Sequence, residues 1–358
     1  MRTPNRFKKI AVSLAAAAFL VTTVPMTASA QTASATQKTP ARAATTTAKK
    51  KAYSPSSART RRANLARARA TARARELKEL QTPRFRVDEF GREVPDVRAE
   101  AAIIYNPETG EILWENHSKD QRSIASITKV MTALVFLESE TPLSTIVTVQ
   151  RSDVAHASTT YLRNGFVLPA EDVLNLLLVG SDNAAARALA RSSVLGYDNF
   201  IRRMNEKAKE LGLESTVYTE PSGLASENMS SAYDLARLIA YAAADERIGS
   251  IMRKTSFTTH VGKRVISANS TNQIVRSGDI DVVGGKTGFI GRSGYCLATL
   301  LKLPQSGQQV AFVVLGAKSN ASRFWETRHL FNWMATRTKA LLEGEFQQQG
   351  QTHQEQQD

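Results

Sequence analysis

Cysteine is almost absent from this chain of 358 residues, with Cys296 the only one. A lone cysteine closes no internal disulfide, so an exported chain of this kind depends on an apolar core rather than on crosslinks. Histidine is scarce as well. His117, His156, His260, His329 and His353 form no His-Glu-x-x-His string and no other pairing at metal-ligand spacing, so neither a metal nor another cofactor is expected. Acidic residues are missing from residues 1–75, which carry 16 Lys or Arg, while residues 76–358 have a net charge of −2. The formal charge of +14 therefore belongs to one end of the chain. Beyond Ile10–Val21 there is no long apolar run, which excludes a multi-span membrane protein. No repeat of about 20 to 50 residues is visible, which argues against a solenoid. What remains, at 42% apolar composition, is enough to bury one large core or two modest ones.

The N-terminus has the three parts of a secretory signal peptide: Arg2, Arg6, Lys8 and Lys9, then Ile10–Val21, then Ala28-Ser-Ala30. A signal peptide over 1–30, cleaved after Ala30, is expected, with an uncleaved anchor as the alternative. No cysteine follows to offer a lipoprotein anchor. The product is expected in the periplasm or at the cell wall, where nucleic acid is not a partner. Residues 31–85 would instead be attracted to an anionic envelope polymer or a membrane surface. Residues 31–90 read as a disordered basic linker, too poor in large apolar side chains to offset chain entropy. Within it, Arg61–Leu80 contains good helix formers, but Leu65, Leu77 and Leu80 make a thin apolar face. A globular domain is expected over 91–343 and a disordered Gln-rich tail over 344–358, with no amphipathic anchor.

Within the domain, Ala101–Asn106 and Glu111–Glu115 read as strands joined by the turn Pro107-Glu-Thr-Gly110. Helical spacing of apolar residues follows over Ile127–Leu137, Val173–Leu178 and Ala184–Leu189. Strands return at Val282–Phe289, Tyr295–Lys302 and Gln309–Leu315, and Arg323–Leu342 reads as a closing helix. The pattern predicts an α+β fold, with an antiparallel sheet built from both chain ends around a mainly helical insert.

Three strings occur in order: Ser126-Ile-Thr-Lys129, Ser181-Asp-Asn183 and Lys286-Thr-Gly288. The first alone also suits a helix N-cap followed by a surface lysine. One helical turn places Ser126 and Lys129 on the same face, where a neutral lysine can take the serine proton. Neutrality near pH 7 requires a loss of about three pKa units, which burial and a second cation, with Lys286 the candidate, can supply. Ser-x-Asn recurs at Ser226-Glu-Asn228 and Ser267-Ala-Asn269, which are expected to make turns. Ser181 is singled out by its place between two apolar helices, where its hydroxyl suits a proton relay and Asn183 a substrate amide. Gly284-Gly-Lys-Thr-Gly288 is not a phosphate-binding loop, because residue 280 is Ile and a strand follows Lys286. Glycines there mark a close approach. Lys286 and Thr287 suit a substrate carboxylate, the strand edge an extended peptide, and the N–H groups of Ser126 and Phe289 an oxyanion hole. Cys296 reads as a small core residue. Asp234 and Glu220 read as helix caps or turn formers as readily as acids.

Taken together and in this order, the three strings resemble those of the serine penicillin-binding proteins and β-lactamases. Arg122–Val130, Met204-Asn-Glu-Lys-Ala208, Leu211-Gly-Leu213, Pro221-Ser-Gly-Leu224 and Gly284–Gly288 are similar to low-molecular-mass D-alanyl-D-alanine carboxypeptidases and endopeptidases. The similarity covers roughly residues 98–340. It implies a β-lactamase/DD-peptidase-like fold, an acylated Ser126, Lys129 as its base, Ser181 as relay, and Asn183, Lys286, Thr287 and Gly288 as binding positions. Peptidoglycan stem peptides are the implied substrate and β-lactams the implied covalent inhibitors. The short C-terminus resembles the endopeptidase branch, with carboxypeptidase activity open. The long basic linker has no counterpart in the resemblance. Two other readings compete. A β-lactamase would need a Glu-x-x-Leu-Asn string, which is missing, although Glu220-Pro221 lies in the interval. A non-catalytic envelope-binding protein would grip anionic polymer through its basic arm.

Overall fold

A computed structural model describes residues 55–354 of the chain. The expected signal peptide, the linker up to residue 54 and residues 355–358 lie outside the described residues. The chain divides into two units, 1–62 and 63–358. The first is described only from Pro55, where a helix opens.

Period-two alternation builds the sheet of the second unit. Along Ala101–Tyr105, residues 101, 103 and 105 pack into one apolar cluster, and Ala102 and Ile104 into another. Along Gln309–Ala317, Ala311, Val313 and Leu315 face the first cluster, and Val310, Phe312 and Val314 the second. Because both faces are covered, these strands read as continuous apolar runs. Five strands pair antiparallel in the order Val282–Ile290, Gly294–Lys302, Gln309–Ala317, Ala101–Tyr105 and Ile112–Asn116. The strand that carries Lys286 is therefore an edge. Asn106 closes the first hairpin by accepting the N–H of Glu108 at 3.0 Å, and Gly110 takes the positive φ of 77° that the turn needs.

One face of the sheet meets the helical insert through Ala232–Ala244. The helix Thr128–Glu138 is enclosed by Ala170–Val179, Asn183–Ser192, Tyr197–Glu210 and Ala232–Ala244, and every residue from Thr128 to Leu137 is buried. The other face is closed by Phe324, Leu330, Phe331 and Met334 of the C-terminal helix. This is the α+β arrangement expected from the sequence, with both chain ends in one sheet.

The boundaries differ from expectation in three places. Residues 55–90, read as part of a structureless linker, contain a helix, Pro55–Gln81, and the first strand of a hairpin pairing Phe85–Val87 with Glu93–Pro95. Helix propensity without a core accounts for the former, since the segment is mostly Ala, Arg, Leu, Lys and Glu and its described side chains are exposed. The hairpin is held from outside: His329 Nε2 lies 2.7 Å from Arg84 O, and the His329 ring meets Phe85 edge-on at 5.0 Å. The closing helix runs Asn320–Gln354, so it begins before Arg323 and continues through the Gln-rich segment, glutamine being a good helix former. Ser267-Ala-Asn269 lies in a strand, Arg264–Asn269, paired with Ser256–Val261, rather than in a turn. There the turn is carried by Gly262 at φ 58°.

Candidate active site

Ser126 sits in a short 3-10 turn, Ala125–Ile127, that feeds directly into the buried helix Thr128–Glu138. Its neighbour Ala125 has φ 49°, a left-handed conformation costly for a residue with a Cβ. The turn aims Ser126 Oγ at Lys129 one helical turn on, with the Lys129 Nζ 2.9 Å away. Lys129 is wholly buried and also donates to Asn183 Oδ1 at 2.6 Å and to Ser222 O. Burial lowers its pKa to about 7; Glu220 and Asp182 pull it back up, and Arg187 pushes it further down.

Ser181 occupies the link between the helices Ala170–Val179 and Asn183–Ser192, at φ 58°. Asp182 fixes this strained link. Its buried carboxylate caps the second helix at Ala185 N (2.9 Å) and accepts from Tyr161 N (2.6 Å) and Thr160 Oγ1 (2.9 Å), while burial raises its pKa. Ser181 Oγ receives Lys286 Nζ at 2.7 Å, and Lys286 also donates to Thr287 O at 3.0 Å. Burial, then the charges of Lys129 and Arg323, press the Lys286 pKa well below that of a free lysine. Desolvation leads at both lysines; the cation that pushes Lys129 down is Arg187 rather than the expected Lys286, while Lys286 itself feels the charge of Lys129.

The edge strand meets the serine turn backbone to backbone. A Cβ on Gly288 would lie 2.7 Å from Ile124 O and 3.2 Å from Ser126 N, which is why glycine stands there. A second loop closes from the other side, where Gly223, at φ 81°, presses so tightly on Ala125 that a Cβ would overlap its carbonyl. Phe289, next along the edge strand, is half exposed and stacks on Tyr295 with ring centres 4.1 Å apart.

The three strings therefore converge, and two side chains expected to bind substrate also have protein partners. Asn183, expected to face a substrate amide, spends Oδ1 on Lys129 and donates from Nδ2 to Ala157 O at 2.7 Å. The Thr287 hydroxyl donates to Thr271 Oγ1 at 2.6 Å. Cys296 is buried with its thiol pKa raised by burial. Asp234 accepts Ser215 N and Thr216 Oγ1, a loop-holding role. Several residues around the site carried no local signal. Thr271, 15 residues before Lys286, is one. Arg323, from the C-terminal helix, donates to Gly288 O at 2.9 Å and Cys296 O at 3.1 Å; burial holds its own pKa down at about 10. Asn228 belongs to a Ser-x-Asn string set aside as a turn, yet it is fully buried and ties Thr128 Oγ1 to the Glu220 loop. A cavity of about 690 Å³ lined by Tyr105, Arg237, Tyr241 and Gln309 contains none of these groups.

Known proteins resemble this chain in sequence and in fold. The family described as D-alanyl-D-alanine carboxypeptidase matches residues 88–319. The D-alanyl-D-alanine endopeptidase of Escherichia coli K12 is 32% identical over 246 residues, 68% of this chain and 79% of the relative. That of Haemophilus influenzae is 34% identical over 228 residues, 63% of this chain and 78% of the relative. Among solved structures, the Streptomyces K15 DD-transpeptidase superposes with a TM-score of 0.63 at 26% identity, covering 67% of this chain and 97% of that one.

Proposed function

Since the chain belongs to the D-alanyl-D-alanine carboxypeptidase family, making it a peptidoglycan-modifying serine DD-peptidase, we propose that it works through an acyl-enzyme on Ser126. The observation that carries this is the buried Lys129 Nζ, 2.9 Å from Ser126 Oγ with a pKa near 7. Neutral Lys129 takes the Ser126 proton as Oγ attacks the D-alanine carbonyl. The N–H groups of Ser126 and Phe289 receive the developing oxyanion, a role supported by the contact of the edge strand with the serine turn at Gly288. Ser181 gives its proton to the leaving amine and recovers one from Lys286, 2.7 Å away. Burial opposes charging both lysines at once, and a stem-peptide carboxylate beside Lys286 and Thr287 favours placing the proton on Lys286, which leaves Lys129 as base. Water then hydrolyses the ester, its proton passing through Ser181 to restore Lys286 while Lys129 returns its proton to Ser126 Oγ.

Cleavage of crosslinks, the endopeptidase reaction, is the preferred activity in this reading, supported by the two relatives of that name. Residues 1–30 direct export to the periplasm or cell wall, and the basic arm meets an anionic envelope polymer. The first is supported by the charged, apolar and small-residue order of the N-terminus, the second by the concentration of positive charge before residue 76. Among the described residues, no helix is long and apolar enough to cross a membrane.

The decisive experiment is the intact mass of the protein lacking residues 1–30, before and after benzylpenicillin, beside Ser126→Ala. A single lasting adduct on the parent and none on the variant is the expected result. No adduct with the drug intact would remove the catalytic reading, and no adduct with the drug consumed would indicate a β-lactamase.

A further inference from the structure

The Pro221–Leu224 loop supplies half of the surroundings of the catalytic pair without belonging to any of the three strings. Ser222 O accepts from Lys129 Nζ, Pro221 O accepts from Thr132 Oγ1 at 2.6 Å, and Gly223 backs onto Ala125 beside Ser126. Nothing in the loop's own hydrogen bonding is helical or sheet-like, so its shape needs another source. That source is one carboxylate. Glu220 accepts the N–H of Ser222 at 2.8 Å on Oε2, and the N–H groups of Gly223 and Leu224 (2.9 Å) on Oε1, with Ala225 N at 3.4 Å. Successive N–H groups converging on one anion form a concave nest, a strong arrangement because each bond is charge-assisted. Asn228 completes it, donating Nδ2 to Glu220 O at 2.8 Å and to Thr128 Oγ1 at 3.1 Å on the nucleophile helix.

We propose that Glu220 is a positioning residue for the acylation step: its carboxylate folds the Pro221–Leu224 loop into the shape in which Ser222 O orients Lys129 and Gly223 fixes the Ser126 turn. This rests on the DD-peptidase reading. It also gives Glu220 a different part from the water-activating glutamate of a β-lactamase, since its oxygens are engaged by backbone donors. Because Glu220 is one of two anions acting on Lys129, with Asp182 the other and Arg187 and Lys286 the neighbouring cations, its charge matters separately from its hydrogen bonds.

The test compares the parent with Glu220→Gln and Glu220→Ala, measuring the second-order rate of acylation by benzylpenicillin between pH 5 and 9, with melting temperatures alongside. Glu220→Ala loses the nest, so its rate is expected to fall on the order of 100-fold at every pH, as for a reacting pair displaced by about 1 Å. Glu220→Gln keeps an acceptor oxygen and loses the charge; it is expected to fall less and to move the acidic limb of the profile to lower pH, because Lys129 then ionises without that anion. A Glu220→Gln protein with the parent's rate and limb would overturn the proposal, even if its melting temperature dropped, and it stands as a test should Glu220→Ala fail to fold. If the parent itself is not acylated, the DD-peptidase reading fails and takes this inference with it; if the parent reacts and the variants match it, only this inference fails.

Discussion

A lysine becomes a base only where its ammonium form is made unfavourable, and Lys129 meets that condition chiefly through desolvation: it is fully buried on a helix whose other residues to Leu137 are buried too. With its pKa near 7, the fraction able to accept the Ser126 proton rises as pH rises through that value. The acylation rate is therefore expected to climb about tenfold per pH unit below pH 7 and to level off above it, and Lys129→Ala is expected to remove the reaction. A rate flat from pH 5 to 8 would mean that another group takes the proton. The chain spacing of Ser126 and Lys129 was legible from the sequence because a helix turn is a local rule. Which partner holds each atom was not. Asn183 Oδ1, Ser222 O and Thr271 reach the site from segments far apart in sequence, and no period or propensity encodes those meetings.

The elements with a clear apolar pattern were readable: the five strands of the sheet, and the helices through Leu137, Val179 and Leu189. Short elements held by a partner rather than by their own pattern were not, as the hairpin Phe85–Val87 with Glu93–Pro95 illustrates, since its anchor His329 is more than 200 residues away. The active site depends on a contact between elements of the same non-local kind, that of the edge strand Val282–Ile290 against the turn Ala125–Ile127. Its clearance is set by Gly288. A methyl group there would lie 2.7 Å from Ile124 O and 3.2 Å from Ser126 N, too close for either backbone to stay in place. Gly288→Ala is thus expected to push the strand from the serine and slow acylation on the order of 100-fold, while the sheet, in which this strand is paired at seven further positions, keeps most of its stability. Penicillin acylation kinetics and a thermal melt separate the two effects; an unimpaired rate would show that the junction tolerates displacement.

At the scale of the whole molecule the charge is divided, with 16 cations and no anion in residues 1–75 against a net −2 in the remainder. The helix Pro55–Gln81 holds seven Arg and one Lys against two Glu, and at 100° per residue the cations spread around its circumference. Its three leucines, Leu65, Leu77 and Leu80, offer little to a bilayer interface, so the proposed partner is an extended polyanion that can follow the charges, and its binding is expected to weaken with salt. Where the arm ends decides how this can be tested. Arg84 and Phe85 are engaged by His329, and Arg98 Nη1 donates to Glu79 O at 3.1 Å, so a deletion reaching residue 85 would damage the domain as well as remove charge. Deleting residues 31–77 is expected to leave penicillin acylation at the parent's rate and to abolish sedimentation with cell-wall sacculi at low salt, which the parent should show and lose as salt is raised. Sedimentation unchanged by the deletion would locate wall binding in the DD-peptidase domain, and the arm would then be a spacer whose charge has another use.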